Sequence, residues 1–245
     1  MRFTVYAFST IPDLETARKN FKLDDLSDED VTKVLFHQRK QQTGHSEVLN
    51  WDQLKIASVS LLHHTAGHTE ISTHSLADAE EAGLIRLFFE KLDTGATMVS
   101  WNGNNRDLPL LYFRCMKHRI SDGGYWNAAR DGQPAHVALR EHFAPASVEV
   151  PDLDTMAQRL HFPGMLGRSD DGVWDAYLAG ENAEIGRHSE LCALNTYLLA
   201  LQLFALRGEL DAAEADGASD RLHDLLEGGR DPGREAFLDA WGESS

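Results

Sequence analysis

Cysteine is scarce in this sequence of 245 residues, which contains only Cys115 and Cys192. Two cysteines so far apart cannot form the dense disulfide framework of small secreted domains, so we expect free thiols and a reducing compartment. No uninterrupted apolar run approaches the roughly 18 residues of a membrane-spanning helix, and the residues after Met1 lack the pattern of a signal peptide. The sequence therefore predicts a cytoplasmic protein with no membrane partner.

Basic residues are outnumbered, since 23 lysines and arginines face 39 aspartates and glutamates and give a formal net charge of −16. A field of this sign repels phosphate backbones, which argues against tight, sequence-blind binding of nucleic acid. It does not exclude a nuclease, because bound divalent cations reverse the sign of the charge within an acidic site.

The order of strand and helix patterns predicts the fold class. A hydrophobic fraction of 42% and the absence of a Pro- or Gly-rich linker favour one folded domain over residues 1–245. We expect three or four strands, in an α/β domain whose mixed sheet is flanked by helices, with a core of about 1–206 and a helical C-terminal cap of about 207–245. The predicted strands are 3–8, 55–62, 68–74 and 97–101, and residues 136–139 are a further candidate for a short strand. The predicted helices are 28–41, one from an N-cap at Ser75 to near Asp93, one from Leu108, then 153–160, 172–179, 183–206 and two smaller ones. Turns are expected at 11–13 and a loop at about 120–133.

Three segments of the chain match one family in the required order. Residues 101–111 (WNGNNRDLPLL) read as a strand end, an Asn-Gly turn, Asp107 and a proline that opens a helix. Residues 5–13 and 188–197 are similar to the first and third motifs of the same family. The chain thus resembles the 3′-5′ exonucleases related to the proofreading domain of polymerase B, which implies a ribonuclease-H-like fold and hydrolysis that uses two divalent ions.

The departures from the family pattern fall where its metal ligands are expected. The resemblance places Ala7 and Ser9 at the two acids of the first motif, and Cys192 at the acid of the third motif. It also places His188 at the tyrosine of that motif. Asp107 alone remains as a candidate catalytic acid and metal ligand. Residues 7 and 9 share one face of a strand, and residues 188 and 192 share one face of a helix, so we expect a single neutralised pocket.

Other residues offer alternative ligands. Asp13, Glu15 and Glu190 are acids close to the motifs, but the first two lie beyond the expected turn and Glu190 lies on the far side of its helix from His188. His188 and Cys192 could bind a softer metal together with Asp107, or act as base and thiol, although a packed cysteine is the commoner arrangement.

Two further groups of residues are candidates for binding a metal ion or nucleic acid. The histidines 63, 64 and 68 suggest a metal site that lacks an obvious fourth ligand. The residues predicted to contact nucleic acid are Trp101, Asn102, Gly103 and Asn195. Additional aromatic candidates for stacking on unpaired bases are Tyr112, Phe113 and Tyr125.

These observations lead to a ranked set of functions. The first is a catalytically degenerate exonuclease domain that binds single-stranded DNA or RNA ends, with no cofactor expected. The second is an active exonuclease with an unorthodox site centred on Asp107, which would need Mg²⁺ or Mn²⁺. The third is an acidic protein-interaction scaffold with a protein partner, since a fold does not dictate a function.

Overall fold

A mixed sheet of five strands organises the chain in a computed structural model, which describes residues 1–132, 135–143, 149–229 and 231–244. The strands are β1 (Phe3–Pro12), β2 (Leu54–Thr65), β3 (His68–Ser75), β4 (Thr97–Ser100) and β5 (His136–Ala138), in the spatial order β3-β2-β1-β4-β5. The described helices are α1 (Leu14–Phe21), α2 (Asp28–Thr43), α3 (Glu81–Lys91), α4 (Leu108–His118), α5 (Gly123–Arg130), α6 (Leu139–Phe143), α7 (Leu153–Arg159), α8 (Asp170–Ala179), α9 (Asn182–Leu206), α10 (Ala212–Gly228) and α11 (Pro232–Ser244). The α/β class with a mixed, helix-flanked sheet is confirmed, with five strands where three or four were expected.

The central strand β1 divides the core into two layers. Phe3, Val5 and Ala7 pack into the hydrophobic cluster on the side of α9, α10 and α11. Tyr6 and Phe8 pack into the cluster on the opposite side, with α3 and α4. Because successive side chains of a strand point to opposite faces, this alternation fixes which residues of β1 can meet α9.

The neighbours of β1 differ along its length. It pairs with β2 in antiparallel fashion from Phe3 to Pro12, whereas its parallel pairing with β4 ends at Val5, opposite Val99. The carboxyl half of β1 therefore extends beyond the paired part of β4. Crevices outside the carboxyl ends of parallel strands are common ligand sites in α/β proteins.

Helix α9 is the main core helix. It packs against β1, β2 and β3, and α10 packs against it in turn. Within the described residues, α9 is the one helix long and apolar enough to cross a membrane by length and composition, and 72% of its most apolar window is buried inside the protein. That degree of burial is the property of a core helix.

Two predicted boundaries near the N-terminus are wrong. The turn expected at residues 11–13 is absent, because β2 continues to pair with β1 as far as Pro12. The chain then enters α1, which was not predicted, and the Asp13 side chain caps that helix by accepting a hydrogen bond from the Thr16 amide at 3.2 Å.

Two further predictions are wrong because side chains stabilise local turns and helix starts. Ser75 ends β3 rather than capping a helix, because the Asp78 carboxylate accepts from the Ser75 amide at 2.8 Å and α3 begins only at Glu81. The loop expected at about 120–133 contains α5, whose cap Asp122 accepts from the amide of the buried Tyr125 at 2.7 Å. Residue 133 of that predicted loop lies outside the described residues.

A buried ion network joins the ends of four elements. The Arg114 guanidinium on α4 donates to both carboxylate oxygens of Glu81 and to Asp13, and its side chain is 2% exposed. The Ile56 amide of β2 donates to Glu81 at 2.7 Å, and Lys117 donates to Asp13 at 2.5 Å. Burial opposes the ionisation of Asp13, but the hydrogen bonds from Lys117 and Arg114 outweigh it and hold the pKa of Asp13 well below its usual range.

Replacing Arg114 with methionine tests this network. Arg114→Met should lower the free energy of unfolding by about 3–5 kcal/mol, because two buried carboxylates lose their shared cation. Urea unfolding followed by circular dichroism measures the loss. The control is Arg86→Met, which removes an exposed arginine of α3 and should stay within about 0.5 kcal/mol of the natural chain. Equal stabilities for the two variants would contradict a structural role for the network.

Candidate active-site cleft

A cleft of about 680 Å³ opens beside the carboxyl ends of β1 and β4. Its walls come from β1, the segment between β4 and α4, the turn before α8, and α9. Ala7, Asp107, His188 and Cys192 all line it. Four of the five residues that the motifs singled out thus meet at one surface, while Ser9 lies buried directly behind it.

Ser9 is occupied by hydrogen bonds that orient His188. Its hydroxyl donates to the Ile185 carbonyl at 3.1 Å and lies 2.9 Å from Nδ1 of His188. Because the single hydroxyl proton goes to Ile185, Ser9 can only accept from His188, so Nδ1 carries the imidazole hydrogen. The other nitrogen, Nε2, is then left with its lone pair, 3.6 Å from Asp170. Burial lowers the pKa of His188, which favours this neutral form.

The second motif is built around a close approach of the backbone. Residues Gly103–Asp107 form a π-helical turn that runs directly into α4. A Cβ atom on Gly103 would lie 2.2 Å from the Ser100 hydroxyl and 2.4 Å from the Tyr6 hydroxyl, so the position requires glycine. Gly103 is therefore buried under the turn and is not among the residues that line the cleft, unlike Trp101 and Asn102, with which it was predicted to contact nucleic acid.

His136 holds this turn to β5. Its Nδ1 lies 2.8 Å from Oδ1 of Asn104, and its Nε2 lies 3.0 Å from the Ser100 hydroxyl and 3.2 Å from the Tyr6 hydroxyl. The amide oxygen of Asn104 can only accept, so Nδ1 carries the hydrogen and Nε2 accepts from the hydroxyls. Burial lowers the pKa of His136 to about 4, because the charged imidazolium is poorly solvated at this site, and the charge of Glu141 only partly opposes the shift.

Asp107 lies beside a cation of its own chain. Burial raises the pKa of Asp107 to about 6, the charge of Arg106 opposes this rise, and the charge of Asp170 adds to it. Arg106 donates to Asp170 at 2.9 Å and to the Thr10 hydroxyl at 3.0 Å, so its guanidinium spans from the carboxyl end of β1 to the start of α8. Arg106 directly precedes Asp107 in the second motif, but nothing in the sequence indicates its pairing with Asp170.

The third motif supplies one cleft residue and one buried clamp. Cys192 lines the cleft, its thiol lies 3.8 Å from the sulfur of Met165, and burial raises its pKa far above the usual value. A neutral thiol is a poor metal ligand and a poor nucleophile. Asn195 is fully buried and uses its amide on Gly164 and on the Leu191 carbonyl, at 2.8–3.0 Å. Asn195, predicted to contact nucleic acid, therefore bonds to the loop at Gly164 and is not among the residues that line the cleft.

The alternative acids lie in ion pairs elsewhere. Asp13 belongs to the Arg114 network, and Glu15 pairs with Lys19 at 2.6 Å on the exposed face of α1. Glu190 accepts from Arg187 at 3.1 Å and from Arg234 at 2.8 Å. None of these three acids lines the cleft as the structure describes it.

The histidine group near the turn between β2 and β3 is not a shared site. His63 bonds to the Thr4 hydroxyl at 3.0 Å, and His64 is buried against Phe3 and bonds to the Tyr197 hydroxyl at 2.8 Å. His63 and His64 are adjacent in a strand and so point to opposite faces. In the described parts of the chain, three potential metal-binding side chains come together only at His223, Asp224 and Glu227, on the exposed surface of α10.

The aromatic candidates divide between the cleft and the core. Trp101 lines the cleft, as does Asn102. Tyr112 and Tyr125 instead share a hydrogen bond of 2.7 Å between α4 and α5, and Phe113 packs edge-on against Trp51. The structure thus leaves Trp101 as the stacking candidate of the four.

Comparison with protein-family models decides the relationship. Residues 46–241 match the family described as a predicted 3′-5′ exonuclease related to the exonuclease domain of PolB. The chain belongs to this exonuclease family. The matched range contains the second and third motifs and begins after residues 5–13, so the first motif rests on the sequence resemblance and on the position of β1 beside the cleft. Neither the search of curated proteins nor that of solved structures gave a match.

The motif positions of the cleft do not supply the acids that would hold the pair of divalent ions that the exonuclease family implies. Four other aspartates line the cleft, namely Asp152, Asp154, Asp170 and Asp171, but among the described residues the cleft brings no three ligand atoms within 4.8 Å of one another. Ala7 offers no oxygen, the Ser9 hydroxyl is committed, and the Cys192 thiol is neutral. Two unit charges about 4 Å apart interact by about 4 kcal/mol at an effective dielectric constant of about 20. A cation beside Asp107 is therefore also repelled by the Arg106 guanidinium, whose charge acts on the same carboxylate.

The His136 contacts predict a pH-dependent stability. An unfolded histidine titrates near pH 6.5, whereas His136 in the folded chain titrates at about 4, so between these values the unfolded chain binds more protons. Acidification from pH 7 to pH 4.5 should thus remove about 2 kcal/mol of unfolding free energy through this residue. Over the same pH interval, the unfolding free energy of His136→Gln should fall by about 2 kcal/mol less than that of the natural chain. Urea unfolding at both pH values measures this difference. His45→Gln, at an exposed histidine, should follow the natural chain. Parallel pH curves for His136→Gln and the natural chain would contradict the assignment.

Proposed function

We propose that this exonuclease-family chain is a catalytically inactive domain that binds unpaired DNA or RNA ends. The observation that carries the proposal is the side-chain chemistry of the cleft. It lies where the three motifs meet, yet Asp107 is the one acid at a motif position, and the Arg106–Asp170 ion pair acts on its charge.

The loss of hydrolysis follows from the missing ligands. Two-ion hydrolysis requires cations that activate water and stabilise the leaving oxygen, and hard cations such as Mg²⁺ require oxygen ligands to hold them. Asp107 is the one motif acid that remains, and it lies beside a guanidinium. The proposal therefore includes no cofactor.

The retention of binding is supported by what still lines the cleft. Trp101 offers an aromatic face, and Asn102 offers amide hydrogen-bonding groups. Three arginines, Arg106, Arg140 and Arg168, lie along the same walls. Aromatic and cationic side chains along a groove are the usual means of binding single strands. A cytoplasmic site of action remains a prediction from the cysteine content.

Activity assays of the natural chain test the proposal directly. A 5′-labelled single strand of DNA or RNA should keep its length in Mg²⁺ or Mn²⁺, and calorimetric titration with either metal should give no binding heat. Shortening from the 3′ end that is lost in Asp107→Asn would instead establish an active exonuclease. Fluorescence anisotropy should detect binding of the same strands at low salt, and its absence would favour a protein-interaction scaffold.

A restored variant provides the positive control. Ala7→Asp, Ser9→Glu, Arg106→Phe and Cys192→Asp together return the acids that the family resemblance implies and remove the competing cation. The variant should bind metal in calorimetry and shorten the labelled strand. Circular dichroism checks its fold, because Ser9→Glu places a charge at a buried position. The assays of the natural chain remain decisive if the variant does not fold.

A further inference from the structure

Arg106 lies where it can act as a fixed positive charge within the cleft. Its guanidinium is anchored to Thr10 at 3.0 Å on one side and to Asp170 at 2.9 Å on the other. The Arg106 side chain forms no other hydrogen bond among the described residues, so donors remain on its planar head. Guanidinium groups match the geometry of phosphate oxygens and bind them in bidentate fashion.

Arg140 supplies a second positive charge on the same walls. It follows β5 in α6, and its amide donates to the Trp101 carbonyl at 3.0 Å, which fixes the backbone beside the stacking candidate. Its side chain is partly buried, lines the cleft, and forms no ion pair or hydrogen bond with any residue that the structure describes. A partly buried guanidinium that lacks a partner in the described part of the chain favours an anionic ligand.

Two unsatisfied polar atoms mark the same cleft. The Thr196 hydroxyl is buried without a hydrogen-bond partner within the described chain, and the residue is 1% exposed. The Asn102 side-chain oxygen is buried and unpartnered in the same sense. Both residues line the cleft. Buried polar atoms are normally satisfied, so these two are independent evidence for a ligand with polar groups of its own.

We propose that Arg106 and Arg140 bind phosphate groups of an unpaired strand directly, in place of divalent metal ions. This inference rests on the proposed function. The nucleotide attached to those phosphates offers hydrogen-bond donors and acceptors to Thr196 and Asn102. Recognition of the strand is then independent of metal.

Asp170 is the competitor of the bound phosphate. Its carboxylate holds Arg106 in the free protein, but its side chain is 62% exposed and lies in the first turn of α8, where it can turn toward solvent. A phosphate must share or replace this contact. Removal of the Asp170 charge should therefore strengthen binding, whereas removal of the Arg106 charge should weaken it.

Anisotropy titration of a 5′-fluorescein oligothymidine strand measures both effects. The natural chain should bind equally well in EDTA and in Mg²⁺. Arg106→Met should weaken binding about tenfold to a hundredfold, and Arg106→Lys by less, because a phosphate contact to a charged donor is lost or reduced. The salt dependence of Arg106→Met should also fall by about 0.7 in the slope of log K against log salt. Asp170→Asn should strengthen binding severalfold.

Matched controls separate these effects from net charge. Arg86→Met removes one positive charge from exposed α3, and Asp171→Asn removes one negative charge next to Asp170 on the same cleft wall. Both should change binding less than the substitutions at positions 106 and 170. Circular dichroism verifies that each variant is folded, and Asp170→Asn leaves the core untouched.

The possible outcomes distinguish this inference from the function on which it rests. Binding that requires Mg²⁺, or an Arg106→Met variant that binds like Arg86→Met, would overturn direct phosphate binding while leaving a nucleic-acid-binding domain in place. Equal gains for Asp170→Asn and Asp171→Asn would overturn the competition at Arg106. Absence of strand binding by both the natural chain and Asp170→Asn would remove the proposed function itself.

Discussion

The geometry of the cleft depends on the ion pairs of the buried Arg114 guanidinium with Asp13 and Glu81. Asp13, one of its partners, follows directly on β1, and Arg114 itself lies on α4, which begins immediately after Asp107. The network therefore ties together the two segments that bring Ala7 and Asp107 to the cleft. A buried charge paired on several sides tolerates little displacement, because each lost partner leaves an uncompensated ion.

Several side chains of the cleft contact partners within the chain. Ser9 and His188 satisfy each other, Cys192 packs against Met165, and Arg106 pairs with Asp170. A site that had merely lost its acids would leave the remaining polar atoms without partners. Here the unpartnered atoms are confined to Thr196 and Asn102 at the cleft wall, within the described residues that line it. The overall negative charge and the local arginines are compatible, because screening limits the reach of surface charges to about 10 Å at ordinary salt.

Strongly periodic elements were predicted well, and elements that depend on side-chain caps were not. The long helix predicted at 183–206 corresponds to α9, and the strand predicted at 97–101 corresponds to β4. Helix α1 was not predicted because it is short and polar. Its start also depends on Asp13, a residue that pairs with the distant Arg114. The helix expected from Ser75 begins only at Glu81, because the Asp78 carboxylate stabilises a turn by accepting from the Ser75 amide. The period of the apolar residues does not reveal such a turn.

The sequence by itself determined the α/β class and the family, and it predicts which residues stand at the motif positions, because these depend on residue type and on order along the chain. Only the tertiary structure decided which partners those residues contact. The pairing of Arg106 with Asp170 spans 64 positions, and the contact between Ser9 and His188 spans 179. Local patterns carry no information about partners so far apart, since such contacts arise only when the sheet and α9 pack together.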